Sequence, residues 1–579
     1  MASAETSDSL PPANVPPPLR RARALAWWRL LLAGFGGLLL GLSFPTPGWS
    51  GLAWLGPGVL LLGALGLPAG AAFRYGWLAG LVQYLVALRW LLHIPFPAGA
   101  VAGWLALSAY CAVYPGLWIW LSLRVLRLHP EAPPAGPESP LAPLAALRES
   151  AARFTARPWL TRLSQLFWTA ALWVALEMLL ARFLTGFPWS LLGLSQWHNA
   201  PLIQLASVAG VYGVSFLLVW FSVSLGVAIL GVAQRPTNRF GWTTDLRVPL
   251  FTLLVVVGLG FARIVKRTPT EPDRVSLALV QPSIPQQVIW DADANPARFD
   301  KVFQLSRQAL ATRPDVLLWP EGSLPDMTQE QLNAMTNLLA GTGAWWIFGS
   351  ADAEPAPPED GVKWRHFNAA FLLSPAGRLV ESYHKRRLVI FGEYIPFERT
   401  LPFMKWLTPI GASFTPGPGP GVFRVGHGTN RTLNISPMIC FEDVFPHHTR
   451  PHVNPETDFV LELTNNGWFG ESGAQWQHAA SAVFRAVENG VPLVRCTNNG
   501  LTCWLDEFGR MHDLFRSASG RVYEAGFLLT SVPLRPGGEP RELTWYHEHG
   551  DTFGWICVVL ALGGALRTVR WKTSAAAIV

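Results

Sequence analysis

Long apolar runs fill the first part of the chain. Seven of them, at about 24–44, 51–72, 75–93, 98–123, 166–186, 204–232 and 248–264, are candidate membrane spans, since a helix needs ~20 apolar residues to cross a bilayer. The run at 51–72 is rich in Gly and Pro, which weaken a helix. From 270 to 545 the pattern changes. Short β-rich runs alternate there with polar stretches of helical period: VSLALVQ (275–281), VLLWPE (316–321), WWIFGS (345–350), AAFLLSP (369–375), LNISPMIC (433–440) and FVLELTN (459–465). Continuous apolar runs of this length read as buried strands of an α/β fold. An eighth apolar run, 553–566, is short and bounded by Arg567, Arg570 and Lys572. The expected organisation is a proline-rich, disordered cytoplasmic segment (1–19), a membrane domain of seven spans (20–266), an α/β domain (270–545), an eighth span (551–570) and a cytoplasmic tail (571–579). No tandem repeat is visible.

Composition supports this division. Half of the residues are hydrophobic, 14% are charged, and there are 28 tryptophans, the profile of a membrane protein. The net charge of +7 is modest, and the basic residues cluster beside apolar runs, which fits a membrane surface better than nucleic acid. Their distribution sets an orientation. Arg20, Arg21 and Arg23 precede the first span; Arg124, Arg127, Arg148, Arg153, Arg157 and Arg162 follow the fourth; Arg235, Arg239 and Arg247 follow the sixth. The loops after the first and third spans carry almost none. Both termini are therefore expected in the cytoplasm and the α/β domain on the outer face of the membrane. Arg263, Lys266 and Arg267 fall on the outer side against this rule, where a large folded domain begins and the rule is weak.

The five cysteines form neither a disulfide framework nor a zinc pattern. VPLVRCTNNGLTCWLD reads as a hairpin turning at Asn499-Gly500. A two-residue turn there places Cys496 opposite Cys503, as two buried thiols or as a disulfide.

Three residues at strand ends can do chemistry: Glu321 closes LLWPE, Lys385 closes ESYHK and Cys440 closes SPMIC. Each alone has an ordinary reading, as a cap, a solvated charge and a small hydrophobe. Together they are complementary. A thiol is mostly protonated at neutral pH, a carboxylate can take its proton, and an ammonium stabilises the thiolate and the later oxyanion. Open α/β sheets gather such groups at the carboxyl ends of strands.

In these contexts the three resemble the Glu-Lys-Cys triad of the nitrilase (carbon–nitrogen hydrolase) superfamily. QPSIPQQVIWD (281–291), WPEGSLPD (319–326), YHKRRLVIFGEYIPFE (383–398), ICFED (439–443), TNNGWFG (464–470), QWQHAASAVFRAVENGVPLVRCTNNG (475–500) and TGFPWSLLGLSQ (185–196) are similar to the apolipoprotein N-acyltransferase branch. The resemblance implies an α-β-β-α sandwich beside about eight transmembrane helices. It implies Cys440 as nucleophile, Glu321 as general base, and Lys385 with the backbone N–H of Phe441 as stabilisers of the intermediate. Glu393 would orient the lysine and Glu442 would support the site. Position 441 is often Tyr in relatives and is Phe here. Trp290 and Trp468 match tryptophans of the acyl or lipid path. Phe391 and Trp406 lie in two stretches unusually apolar for loops, 386–397 and 401–414, expected to meet the bilayer and gate the site.

The resemblance also implies a phospholipid donor, phosphatidylethanolamine favoured, a diacylglyceryl apolipoprotein acceptor, a monomer and no cofactor. His384, His447 and His448 lack further metal ligands at a suitable spacing. Glu393 and Glu442 also fit as structural ion pairs, the tryptophans as core or interfacial residues, and Arg386 and Arg387 as charges near headgroups. Two rival functions stand beside the transferase: a membrane-tethered amidase acting on a soluble carbon–nitrogen substrate, and a non-enzymatic membrane scaffold.

Overall fold

The computed structural model describes residues 27–128, 142–234, 244–266 and 273–576, except 290, 326, 359–361, 399, 409, 429 and 536–538. The segment 1–19, Arg20, Arg21, Arg23, Arg235, Arg239, Arg267 and Trp290 lie outside the described residues.

The apolar runs of the first part form helices α1 (Trp27–Leu42), α2 (Gly56–Ala64), α3 (Ala69–Ala87), α4 (Pro97–Cys111), α5 (Val113–Val125), α6 (Trp159–Leu180), α7 (Ala206–Gln234) and α8 (Thr244–Lys266). Among the described residues, four helical segments are long and apolar enough to cross a membrane: Pro97–Val125, Trp159–Leu180, Ala206–Gln234 and Thr244–Lys266. Trp27–Leu42, Ser50–Ala64 and Thr552–Gly564 are apolar but shorter. The run expected as a span over 51–72 is no continuous helix. It holds a 3₁₀ turn (Ser50–Trp54) and the nine residues of α2, then stops at Gly66, with φ +72°, and Pro68. A left-handed glycine followed by proline ends a helix. α7 has its own break, at Gly210 with φ 63°.

The six β-rich runs become strands of two sheets. One has the order β12-β1-β2-β3-β4-β5, from β1 (Arg274–Gln281), β2 (Val316–Leu318), β3 (Trp345–Pro355), β4 (Trp364–Leu373), β5 (Leu379–His384) and β12 (Gly526–Pro533). The other has the order β11-β10-β9-β8-β7-β6, from β6 (Phe423–His427), β7 (Arg431–Ile439), β8 (Phe459–Thr464), β9 (Leu493–Thr497), β10 (Cys503–Leu505) and β11 (Met511–His512). Both are mixed: β1-β2-β3 and β7-β8-β9 run parallel, and their flanks are antiparallel.

Side chains alternate across a strand, and β1 shows the result. Val275, Leu277 and Leu279 face the second sheet with Ile435, Leu461 and Leu463. Ala278 and Val280 face the outer layer of α9 (Asn295–Leu310) and α10 (Gln329–Leu339), whose Val302, Ala309, Met335 and Leu339 share their core. The other side of the second sheet is covered by α11 (Ala474–Asn489). Val483, Phe484 and Val487 of this helix join one continuous core with membrane-domain residues such as Tyr212 and Val214. The sandwich therefore sits on the helical domain through α11, and α12 (Thr552–Ala576) returns along α6.

The hairpin register differs from the expectation. β9 and β10 are joined by the five residues 498–502, and Cys503 pairs with Arg495, not Cys496. Neighbouring residues of a strand face opposite sides, so Cys496 and Cys503 are parted by the sheet. Both thiols are free and buried. Cys496 donates to Val280 O (3.6 Å) and Leu318 O (3.5 Å) of the first sheet.

Candidate active site

Glu321, Lys385 and Cys440 each follow the last residues of a strand, β2, β5 and β7. The two sheets bring those ends together. Glu321 is set by close packing of its own backbone: a Cβ on Gly349 of β3 would lie 2.7 Å from Pro320 O and 2.8 Å from Glu321 Cα. Cys440 adopts φ 53°, a left-handed conformation rare for a side-chain-bearing residue and strained by about 1–3 kcal/mol. The sharp turn Cys440–Val444 lifts the thiol out of the strand, leaving it half-buried.

Lys385 is 1% exposed and lies between two carboxylates, with Nζ 2.9 Å from Glu321 Oε1 and 2.8 Å from Glu393 Oε1. Asn368, on β4, clamps the same two oxygens, its Nδ2 donating to Glu321 Oε1 (2.8 Å) and Glu393 Oε1 (2.6 Å). The outer oxygens are held by backbone: Asn465 N donates to Glu321 Oε2 and Val389 N to Glu393 Oε2, both at 2.8 Å. Asn368 was invisible in the sequence, a polar residue inside an apolar strand with no motif around it.

The charges follow from this packing. Burial favours neutral Lys385, but Glu321 and Glu393 outweigh it and hold the ammonium well above its usual pKa. Burial raises the Glu393 carboxyl, and Lys385 counters only part of this. Burial, then the charge of Glu321, pushes the Cys440 thiol well up, with Lys385 opposing. Cys440 thus rests as a thiol, which has to lose its proton before its sulfur can act as a nucleophile.

Glu442 lies below this cluster. It accepts from Tyr383 Oη (2.8 Å), from Arg386 N (2.7 Å) and Arg387 N (3.2 Å), and from Ile439 N (2.7 Å). It ties the loop after Lys385 to the turn at Cys440. Burial alone would raise its pKa, but His448, His452 and the backbone donor bring it to about 2. The Phe441 ring stacks on Trp189 of the membrane domain (6.2 Å between centroids, 26° between planes) and edge-on to Phe445 at 5.1 Å.

The remaining residues are more scattered. Trp468 is half-buried in the turn Asn466–Phe469, just beyond Asn465. Phe391, with φ 60°, is half-buried two residues before Glu393. Trp406 is 83% exposed and Phe397 70%, with Phe403 and Leu401 also exposed beside them. His384 pairs with Asp352 (2.7 Å) and His448 with Glu442 (3.2 Å). Among the described residues, two clusters have ligand-like geometry: Asp352, Glu354 and His384, and the buried Asp443, Glu462 and His478. In the second, Arg495 already supplies a cation to both carboxylates.

The fold and site define a nitrilase-like sandwich carried on a membrane helical domain, and residues 276–523 match the carbon–nitrogen hydrolase family. Residues 36–224 match the apolipoprotein N-acyltransferase N-terminal domain. The chain is 32% identical to the apolipoprotein N-acyltransferase of Geobacter metallireducens over 94% of its length and 96% of that protein. It is 30% identical to that of Vibrio cholerae, over 93% and 96% of the two chains. An amidase from Nesterenkonia sp. AN1 aligns with 46% of this chain and 93% of its own, at 18% identity and a TM-score of 0.32. The chain belongs to the apolipoprotein N-acyltransferase family, membrane acyltransferases with a carbon–nitrogen hydrolase domain.

Proposed function

We propose that this enzyme moves a fatty acyl chain from a phospholipid, through a thioester on Cys440, to the α-amine of a diacylglyceryl-modified N-terminal cysteine of a lipoprotein. The observation that carries this reading is the buried Glu321–Lys385–Glu393 cluster beside a half-buried thiol, next to a loop that exposes Phe397, Leu401, Phe403 and Trp406. A soluble substrate has no use for so much exposed apolar surface; a substrate anchored in a bilayer does.

Glu321 takes the thiol proton as Cys440 sulfur attacks the ester carbonyl, and Lys385 and the Phe441 N–H stabilise the oxyanion. Collapse breaks the ester C–O bond, and Glu321 returns the proton to the departing alkoxide of the lysophospholipid. The lipoprotein amine then attacks the thioester, Glu321 accepts its proton, the C–S bond breaks and the proton returns to the sulfur. Glu393 and Asn368 keep Lys385 and Glu321 in place through both steps. Trp468, Phe391 and Trp406 line the lipid path, and the loops 386–397 and 401–414 dip towards the bilayer and shield the thioester from water. The sandwich faces the periplasm, both termini are cytoplasmic, phosphatidylethanolamine is the favoured donor, and the enzyme acts as a monomer.

Incubation of the protein with phosphatidylethanolamine vesicles, without acceptor, tests this. An acyl mass on the Cys440 peptide that leaves on addition of a lipid-modified cysteinyl peptide supports transfer, and Cys440→Ala should abolish it. Hydrolysis of soluble amides without acylation of Cys440 by lipid would replace this reading with the tethered amidase, and lipoprotein maturation by Cys440→Ala would replace it with the scaffold.

A further inference from the structure

The helix α11 bears two adjacent residues that face different domains. Successive helical residues point about 100° apart, and here Gln477 meets the membrane segments while His478 meets the turn at Cys440. The Gln477 amide donates to Ala87 O (3.0 Å) at the end of α3 and to Pro45 O in the loop after α1. Its Oε1 accepts from the indoles of Trp90 (3.1 Å) and Trp189 (2.8 Å). Two donors and two acceptor sites are all used, so this one side chain pins four membrane-domain positions to α11.

His478 is 1% exposed. Its Nε2 lies 2.8 Å from Asp443 Oδ1, 3.2 Å from Cys440 O and 3.4 Å from Glu462 Oε1. The Cys440 carbonyl and the Asp443 carboxylate are both acceptors, so Nε2 carries a hydrogen. Nδ1 is 3.1 Å from Asn466 Oδ1, in the turn after β8. Asp443 is steadied from its other side by Arg495 Nη1 at 3.0 Å. The imidazole thus grips the turn at residue 440 through a carbonyl and at residue 443 through a carboxylate. Trp189 lies over both the His478 ring (5.4 Å) and the Phe441 ring (6.2 Å), so the membrane domain also caps this turn.

We propose that His478 is a positioning residue that holds Cys440 in its left-handed conformation, and that Gln477 couples this hold to the membrane helices. The inference deepens the thioester reading and rests on it for the role of Cys440. A left-handed cysteine needs its surroundings to over-determine it. The carbonyl of Cys440 and the side chain of Asp443 are two handles on the turn beside Glu442 and Phe441, and one N–H serves both.

The test uses the full-length protein in detergent micelles, with phospholipid added only for the kinetics, as His478→Leu, His478→Gln and Gln477→Leu. The Gln amide can place an N–H near the position of Nε2; Leu cannot. Two readouts are taken: the pH profile of iodoacetamide alkylation on the Cys440 peptide, which needs no lipid, and kcat and KM for the phospholipid donor. Because a misplacement of about 1 Å can cost about 100-fold in rate, His478→Leu should lower kcat by about 10–100-fold, with KM little changed and the alkylation profile displaced. His478→Gln should restore most of kcat and the profile, and Gln477→Leu should move both in the direction of His478→Leu. A wild-type profile in His478→Leu overturns the proposal. So does a His478→Gln variant that melts like wild type yet has a kcat about 10-fold or more below wild type, and this arm decides the matter if the Leu variant does not fold. Wild-type protein that alkylates at Cys440 but never forms a thioester would overturn the transferase reading instead, while the alkylation arm still judges His478.

Discussion

Replacing Lys385 by Met keeps most of the side chain's volume and deletes its charge. Lys385 Nζ is bonded to Glu321 and Glu393, and Asn368 donates to the same two oxygens. Without the ammonium, two nearly buried carboxylates converge on one neutral amide. Removing one partner of a buried ion pair costs about 3–5 kcal/mol, and at about 2 °C per kcal/mol for a domain of this size the melting temperature should fall by about 6–10 °C. Like carboxylates in one site share a proton, so one of the pair should titrate above its unfolded value of about 4.3. Native protein then binds more protons than unfolded protein, and stability falls as pH rises. The loss should therefore be largest near neutrality and shrink towards pH 5. Adding Glu393→Gln removes one carboxylate charge and should recover at least half of the loss. The assay is thermal unfolding in micelles from pH 5 to 8 for wild type, both single variants and the double variant. A Lys385→Met protein that melts within about 2 °C of wild type, or whose loss is independent of both pH and Glu393, would refute the electrostatic account of this cluster.

Three further outcomes are expected. Glu321→Gln should cut acylation of Cys440 by about 10²–10⁴-fold, the usual contribution of a general base, yet shift the alkylation pH profile of Cys440 to lower pH, because the Glu321 charge helps raise that thiol; an unmoved or raised midpoint would contradict this. Gly349→Ala places a methyl 2.7 Å from Pro320 O and 2.8 Å from Glu321 Cα, so kcat should drop by about 10-fold or more as the base moves, and unchanged steady-state kinetics would show that the strand end yields without harm. In acid, the depressed Glu442, at about 2, contributes stability that is present above its unfolded pKa of about 4.3 and lost as pH falls towards 2. Burial holds His452 at about 4, against the raising charge of Glu442, so stability also falls from about pH 6.5, its unfolded value, down to 4; Glu442→Gln should flatten the lower part of a melting-temperature profile and, by removing that charge, steepen the upper part, and a variant profile parallel to wild type throughout would disprove the assignment.

The sequence by itself determined most of the apolar helices, though not the break in the run at 51–72, most of the strands, and the three residues that stand at strand ends. These are local properties, carried by runs and periods of neighbouring residues. It also carried the strings by which the family is recognised. The tertiary structure decided what stands across from what. Asn368 and His478 belong to the site because two sheets and a helix bring residues from distant parts of the chain within 3.2 Å of Glu321, Glu393 and the Cys440 carbonyl. Glu442 was legible as an acid near the thiol, but its bonds to Tyr383 and to the N–H groups of Arg386 and Arg387 depend on how β5 meets β7. Cys496 and Cys503 were placed opposite each other by a tight turn; a one-residue change of register put Arg495 there and the two thiols on different faces. Strand pairing and helix docking are set by distant partners competing for the same backbone and core positions, and no local pattern encodes that choice.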